Sequence, residues 1–245
     1  RDRSVSRGLG DVYKRQLKKL VAITLSAVMC MAALTGCGGK SDSAKKTAKV
    51  IEVDLTDEQY AFGVDKDQPD LLKEVNQFVK DMKSDGTFDE ICNRYFGDGT
   101  PVPVKSAAYD ESKDQLVVAT NAAFEPFEYM DGENYVGIDM EIAKALADKL
   151  GKELVIQNMD FDAVCLSVGQ HKCDVAMAGL TIKPDREEYV AFSDPYYSAS
   201  QKLITLSTDT EFDACKTADD VNKILEAKGS DLKIGFQNGT TGQFY

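Results

Sequence analysis

Histidine is almost missing from this chain: 245 residues contain one, His171. It sits in a Gly-Gln-His-Lys turn before an apolar run, a setting that favours a solvated ring over a member of a Ser-His-Asp triad. Zinc is excluded on the same ground, because the cysteines do not compensate. Of six, Cys30 and Cys37 lie near the N-terminus, and the spacings of Cys92, Cys165, Cys173 and Cys215 match no zinc pattern. Cys165 and Cys173 could be bridged if their Cα atoms approach within about 7 Å; otherwise they read as buried free thiols. No Walker A and no GxGxxG pattern occurs. Residues 81–92 place a glycine as a calcium loop would, but Lys83 and Cys92 fall on ligand positions and reject it. No metal and no cofactor is expected. Positive charge is outnumbered beyond the first 36 residues. Those carry seven Lys/Arg and two Asp/Glu, a net of +5, so the remainder of a chain at −12 carries −17. A surface that acidic repels phosphates and argues against nucleic acid as a partner. No repeat is visible.

What is present begins with an oddity. Residues 1–16 (RDRSVSRGLGDVYKRQ) lack hydrophobic periodicity and read as a non-native leader. Lys18 and Lys19 then precede an apolar run over 20–34, too short for a spanning helix of about 20 residues. A basic flank, a short apolar core and a small-residue exit describe an export signal over 17–36. Its ending, Leu34-Thr35-Gly36-Cys37, resembles the bacterial lipoprotein signal, which implies that Cys37 is lipidated and anchors the chain to a bilayer. Residues 37–50 are polar and read as a flexible tether.

The body alternates strand and helix patterns. Residues 60–64 (YAFGV) suggest a strand. A helix follows from Pro69 with Leu71, Leu72, Val75, Phe78, Val79 and Met82 at helical spacing. Thr87 to Glu90 reads as a capping box for a second helix. Pro101 and Pro103 mark 98–113 as a linker. Strands are expected at 116–119, 154–156, 174–178, 202–206 and 233–236. Helices are expected from the cap Asp139 to Leu150, from Asp160 through Val168, at 185–190 and at 217–228. Residues 121–134 read as a loop. This order argues an α/β architecture around a mainly parallel sheet. The turn at 237–242 has no covering helix after it, so the chain reads as cut off at its C-terminal side.

The candidate site centres on 174–197 (DVAMAGLTIKPDREEYVAFSDPYY). A strand stops at Gly179-Leu180-Thr181, and Arg186 follows. A guanidinium at a strand end is suited to clamp a carboxylate in bidentate fashion; the competing role is a surface pair with Glu187 or Asp194. Thr181 adds a hydroxyl and an N–H, and the Gly179 carbonyl can accept from an ammonium. Phe124 and Phe161, each just past a strand, offer aromatic walls for a ligand or plugs for the core. Asn121 could bond a polar side chain.

Residues 116–129 (LVVATNAAFEPFEY), 137–143 (GIDMEIA), 159–161, 173–186 and 192–197 together resemble the polar amino-acid family of ABC-transporter solute-binding proteins. The resemblance implies a two-lobed, periplasmic-binding-protein-like (type II) α/β fold. The first lobe, 51–210, would be nearly complete, and a second, from 211–245, truncated. It implies Arg186 on the ligand α-carboxylate, Thr181 on the head group, the Gly179 carbonyl on the α-ammonium, Phe124 and Phe161 flanking the side chain, and a Thr241 N–H from the second lobe. An acidic residue completing the ammonium site would lie past Tyr245. Residues 60–96 resemble the segment that normally ends such proteins, yet precede 116. The order implies a circular permutation, with 51–97 joined through the linker 98–113, or else a duplicated piece. The implied function is extracytoplasmic capture of a polar amino acid by a monomer that delivers it to membrane permease subunits. Asn121, often an aspartate in relatives, argues against a strong preference for cationic side chains. The rival readings are a dehydratase of the same fold and a ligand-sensing domain. Without most of a second lobe, the chain is expected to bind weakly or not at all.

Overall fold

The computed structural model describes residues 47–245, so the leader, the export signal, Cys37 and most of the tether lie outside the described residues. These residues form two compact units.

The smaller unit joins residues 47–53 to Lys202–Ser230. Its strand β1 (Ala48–Val50) pairs antiparallel with β12 (Ile204–Leu206). Residues 48–50 therefore belong to a strand, not to a tether: Lys49 ion-pairs with Asp213, and its backbone is tied into the ladder. A helix over Ala218–Lys228 starts at the capping box read from the sequence, with Thr217 Oγ1 accepting from Asp220 N–H at 3.2 Å.

The larger unit comprises Asp54–Gln201 and Asp231–Tyr245. Three strands run through its middle: β4 (Gln115–Thr120), β8 (Glu153–Asn158) and β9 (Val175–Ala176). β4 pairs parallel with both of the others. Every residue of β4 is buried, as expected of a strand covered on both faces. Alternation sorts its side chains. Leu116 and Val118 face a cluster with Val75, Phe78, Ile142 and Leu146. Val117 and Ala119 face Val164, Cys165 and Val168 on the other side. The first cluster is supplied by α1 (Pro69–Ser84), α2 (Thr87–Phe96) and α3 (Ile138–Leu150), the second by α4 (Phe161–Gly169).

The sheet is not mainly parallel. Its order is β10-β3-β9-β4-β8, and β3 (Gly63–Asp65) is antiparallel to β9 and to β10 (Val190–Phe192). A parallel neighbour needs a crossover connection. β3 instead comes from the segment before the linker, and β10 returns from β9 through the short α5 (Pro184–Glu187). The strand expected at 60–64 is broken in two: β2 (Glu58–Tyr60) pairs with β11 (Tyr197–Ala199), and β3 joins the main sheet. The expected loop at 121–134 holds a small antiparallel sheet of β5 (Ala123–Phe124), β6 (Glu128–Asp131) and β7 (Asn134–Val136). Residues 233–236 form no strand among the described residues; Ile234 and Phe236 are about half exposed, and a strand without a ladder partner has nothing to fix it. The expected capping box at Thr87 does not form. Gly86, with φ of 90°, takes the N-cap position, and Asp85 Oδ1 accepts from Thr87 N–H at 2.9 Å.

The linker is partly built in: Val104 is buried and bridges to Tyr135. Cys92, Cys165 and Cys173 are buried free thiols, and Cys215 is a half-buried one. No helix among the described residues is long and apolar enough to cross a membrane.

Candidate functional site

β9 delivers the site. Past Ala176 the chain leaves the sheet and turns at Gly179, whose φ of 53° lies in the left-handed region. A Cβ there would also sit 3.0 Å from the Phe124 ring and push it outward. Phe124 thus covers Gly179 on one side, stacks on Phe127 with centroids 5.6 Å apart, and keeps 39% of its surface exposed.

Arg186, on α5, is buried. Nη1 donates to the Thr181 carbonyl at 2.8 Å, and Nη2 donates to the Gly239 carbonyl at 3.1 Å. The guanidinium lies over the Phe161 ring, 5.1 Å from its centroid. Neither Glu187 nor Asp194 pairs with it; Asp194 pairs with Lys80 instead. Among the described residues no carboxylate lies within ion-pair distance of Arg186. Burial pulls its pKa below the ordinary arginine value. A guanidinium has five N–H donors. Two are spent on carbonyls, which leaves a buried positive charge with free donors and no counter-ion.

Thr181 is buried next to it and bridges to Tyr60. Its Oγ1 donates to Glu58 Oε2 at 2.5 Å and accepts from Thr241 Oγ1 at 3.3 Å. The structure therefore gathers Gly179, Thr181, Arg186, Phe124, Phe161 and Thr241 around one strand end. Thr241 belongs to the same compact unit as the rest and meets Thr181 through its hydroxyl.

Asn121 stands beside this cluster, at an open pocket of about 550 Å³ that it lines with Asn158, Met159, Asp160 and Ala163. Both of its amide atoms are engaged once: Nδ2 donates to the Met159 carbonyl at 2.7 Å, and Oδ1 accepts from Gln237 Nε2 at 2.9 Å.

A family model for bacterial extracellular solute-binding proteins, family 3, matches residues 10–98 and 116–239. The chain belongs to this family. "Arginine-binding extracellular protein ArtP" of Bacillus subtilis (strain 168) is 40% identical over 96 residues, covering 39% of this chain and 38% of that protein. "ABC transporter arginine-binding protein 1" of Escherichia coli (strain K12) is 33% identical over 133 residues, covering 54% and 49%. "Cyclohexadienyl dehydratase" of Pseudomonas aeruginosa is 31% identical over 127 residues, covering 50% and 47%. The chain thus spans about half or less of the length of these relatives.

In this family-3 chain, three carboxyl groups around the site were invisible to sequence reasoning. Glu58 is one. A strand beginning at 58 would have placed it on the Tyr60 face by period-two alternation. Asp139 is the second. It reads as a helix cap, but lies inside α3, wholly buried, with Oδ2 accepting from Gly179 N–H at 2.8 Å and Oδ1 from Tyr196 OH at 2.6 Å. Burial pushes its pKa up to about 6 despite both bonds. Glu128 is the third: wholly buried on β6, with no hydrogen-bond partner for either oxygen among the described residues. Burial, then the Asp139 charge, raise it well above the usual carboxylate range. His171 is exposed as expected, but not unattached. Nδ1 lies 2.8 Å from Asp65 Oδ2, and that bond raises its pKa.

Proposed function

We propose that this chain captures a polar amino acid outside the cytoplasm and hands it to the permease subunits of an ABC transporter. The observation that carries the reading is Arg186: a buried guanidinium with donors to spare and no counter-ion among the described residues, beside a hydroxyl and an aromatic-covered glycine. A ligand α-carboxylate would supply the missing charge, and the Gly179 carbonyl would meet the α-ammonium. Phe124 and Phe161 would flank the ligand side chain. Asn121, with both amide atoms engaged, would shape the pocket mouth together with Gln237. Thr241 would close on the head group. The names of the relatives put arginine first among ligands to try, with glutamine as the neutral alternative that an amide at position 121 favours.

The anchor at Cys37, the export signal before it, a monomeric state and attachment to the outer face of a membrane complete the proposal. So does the segment order. The family match in two stretches either side of residues 99–115 is consistent with a permuted arrangement of 51–97. Transport requires a ligand that favours the closed state over the open one, so contacts from both sides of the ligand drive delivery.

Amide and side-chain NMR shifts during titration with the twenty amino acids, up to millimolar concentration, test the reading. A saturable shift at Gly179, Thr181 and Arg186 with a polar amino acid is expected. Arg186→Ala should weaken that binding by at least about 100-fold, since a buried carboxylate left unpaired costs roughly 3–5 kcal/mol. Near-normal affinity in that variant removes Arg186 from the role. The dehydratase-named relative sets the second assay: conversion of a prephenate-like substrate would replace capture with catalysis.

A further inference from the structure

Glu58 is among the most buried charged groups in the larger unit, at 3% exposure, yet it makes no ion pair among the described residues. Four side-chain donors turn toward it, Thr241 among them. Oε1 accepts from Thr56 Oγ1 at 2.6 Å and from Gln201 Nε2 at 2.9 Å, and Oε2 accepts from Thr181 Oγ1 at 2.5 Å. Burial pushes the carboxyl up, but these bonds together hold it below its ordinary value, so it is ionised at neutral pH.

An ionised carboxylate only accepts, and a hydroxyl has one proton. The Thr181 proton therefore points at Glu58. Thr181 therefore has no proton for Thr241, whose own hydroxyl proton is shared between Thr181, at 3.3 Å, and Glu58. What Thr181 Oγ1 has left for a ligand is a lone pair, made more basic by the charge behind it. It can take an N–H and has nothing to give a carboxylate oxygen. Across the same residue, Arg186 is bonded to the Thr181 carbonyl and offers only donors. Threonine 181 thus separates an accepting end from a donating end, and Glu58 fixes which is which.

Resting on the amino-acid reading above, the geometry points to Glu58 as the positioning residue that makes Thr181 an obligate acceptor and so selects ligands carrying an α-ammonium.

The test compares each amino acid with the same molecule lacking its α-amino group: L-arginine with δ-guanidinovalerate, and L-glutamine with glutaramate. The unaltered protein should prefer the amino acid by at least about 10-fold. Glu58→Gln offers an amide that can donate to Thr181 Oγ1, freeing the hydroxyl proton. It should erase most of that preference by weakening the amino acid about 10-fold or more, with the des-amino compound held within about 3-fold. Thr181→Val, which lacks the hydroxyl but keeps the shape, should give the same loss and should make the Glu58 change silent in the double variant. This second variant decides the matter if Glu58→Gln does not fold. Equal weakening of both compounds, or an unchanged preference, overturns the assignment and leaves amino-acid capture intact. Because binding is expected to be weak, the comparison is read up to millimolar ligand; no shift at Thr181 or Arg186 with either compound at that concentration overturns both.

Discussion

At the scale of single residues, the buried carboxyls Glu128 and Asp139 give the protein a pH dependence with a definite sign. Both have folded pKa values above those of unfolded chains, about 4.3 for Glu and 3.9 for Asp. The folded state therefore holds protons that the unfolded state releases. Stability is fully present below the unfolded values and falls as pH rises through the interval up to the folded ones. Asp139 alone, at about 6, accounts for a decline on the order of 3 kcal/mol between roughly pH 4 and 6. Glu128 extends the decline to higher pH. Glu128→Gln carries no titrating proton, so urea midpoints at pH 6 and pH 8 should lie closer together than in the unaltered protein. The exposed His171 is common to both proteins and cancels. An identical midpoint shift in the variant would refute a protonated Glu128. The part of the candidate site whose grouping was legible in the sequence is the part close together in the chain. Gly179, Thr181 and Arg186 stand within eight positions of one another at a strand end. Glu58 and Asp139 act on Thr181 and Gly179 across long stretches of chain, and no local pattern couples them.

At the scale of elements, one side chain ties the polar groups of α2 to α3 beside their shared core. Glu141 is buried and accepts from Tyr95 OH at 2.7 Å, Arg94 Nη1 at 2.6 Å and Val102 N–H at 3.0 Å. Tyr95 in turn accepts from Gly137 N–H at 2.9 Å. Glu141→Ala strands three donors at once and should cost about 2–4 kcal/mol, read as a lower urea midpoint with an unchanged slope. A shift under about 0.5 kcal/mol would mean that water replaces the network. The helices were legible because their apolar stripes recur at helical spacing, as Val75, Phe78, Val79 and Met82 do on α1. The strands were less so. Whether an apolar run becomes a strand depends on a neighbour, which residues 115–120 have on both sides and residues 233–236 lack among the described residues. The sheet at 123–136 hid because its aromatics and turn residues resemble a loop.

At the scale of the whole molecule, the exposed turn at 111–113 is the place where the chain should tolerate a break. A protease site inserted between Ser112 and Lys113, once cut, should leave two pieces that co-elute under native conditions and separate in denaturant. β3 lies between β9 and β10, and α1 and α2 share a core with α3, so the pieces have reason to stay together. Separation without denaturant would show that the N-terminal segment is only loosely docked. The fold class was legible from strand and helix alternation, but the direction of β3 was not, because alternation says nothing about a strand that arrives out of turn.

That strand has a bearing on how the protein is made. Val64 pairs with Val175, more than a hundred residues later in synthesis. A ribosome releases α1 and α2 with their apolar faces finished but their sheet absent, and the gap closes only after β9 and β10 emerge. The early segment must survive that wait without finding another partner, so a chaperone that shields apolar surface should matter more for the yield of this chain than for one whose strands pair as they appear.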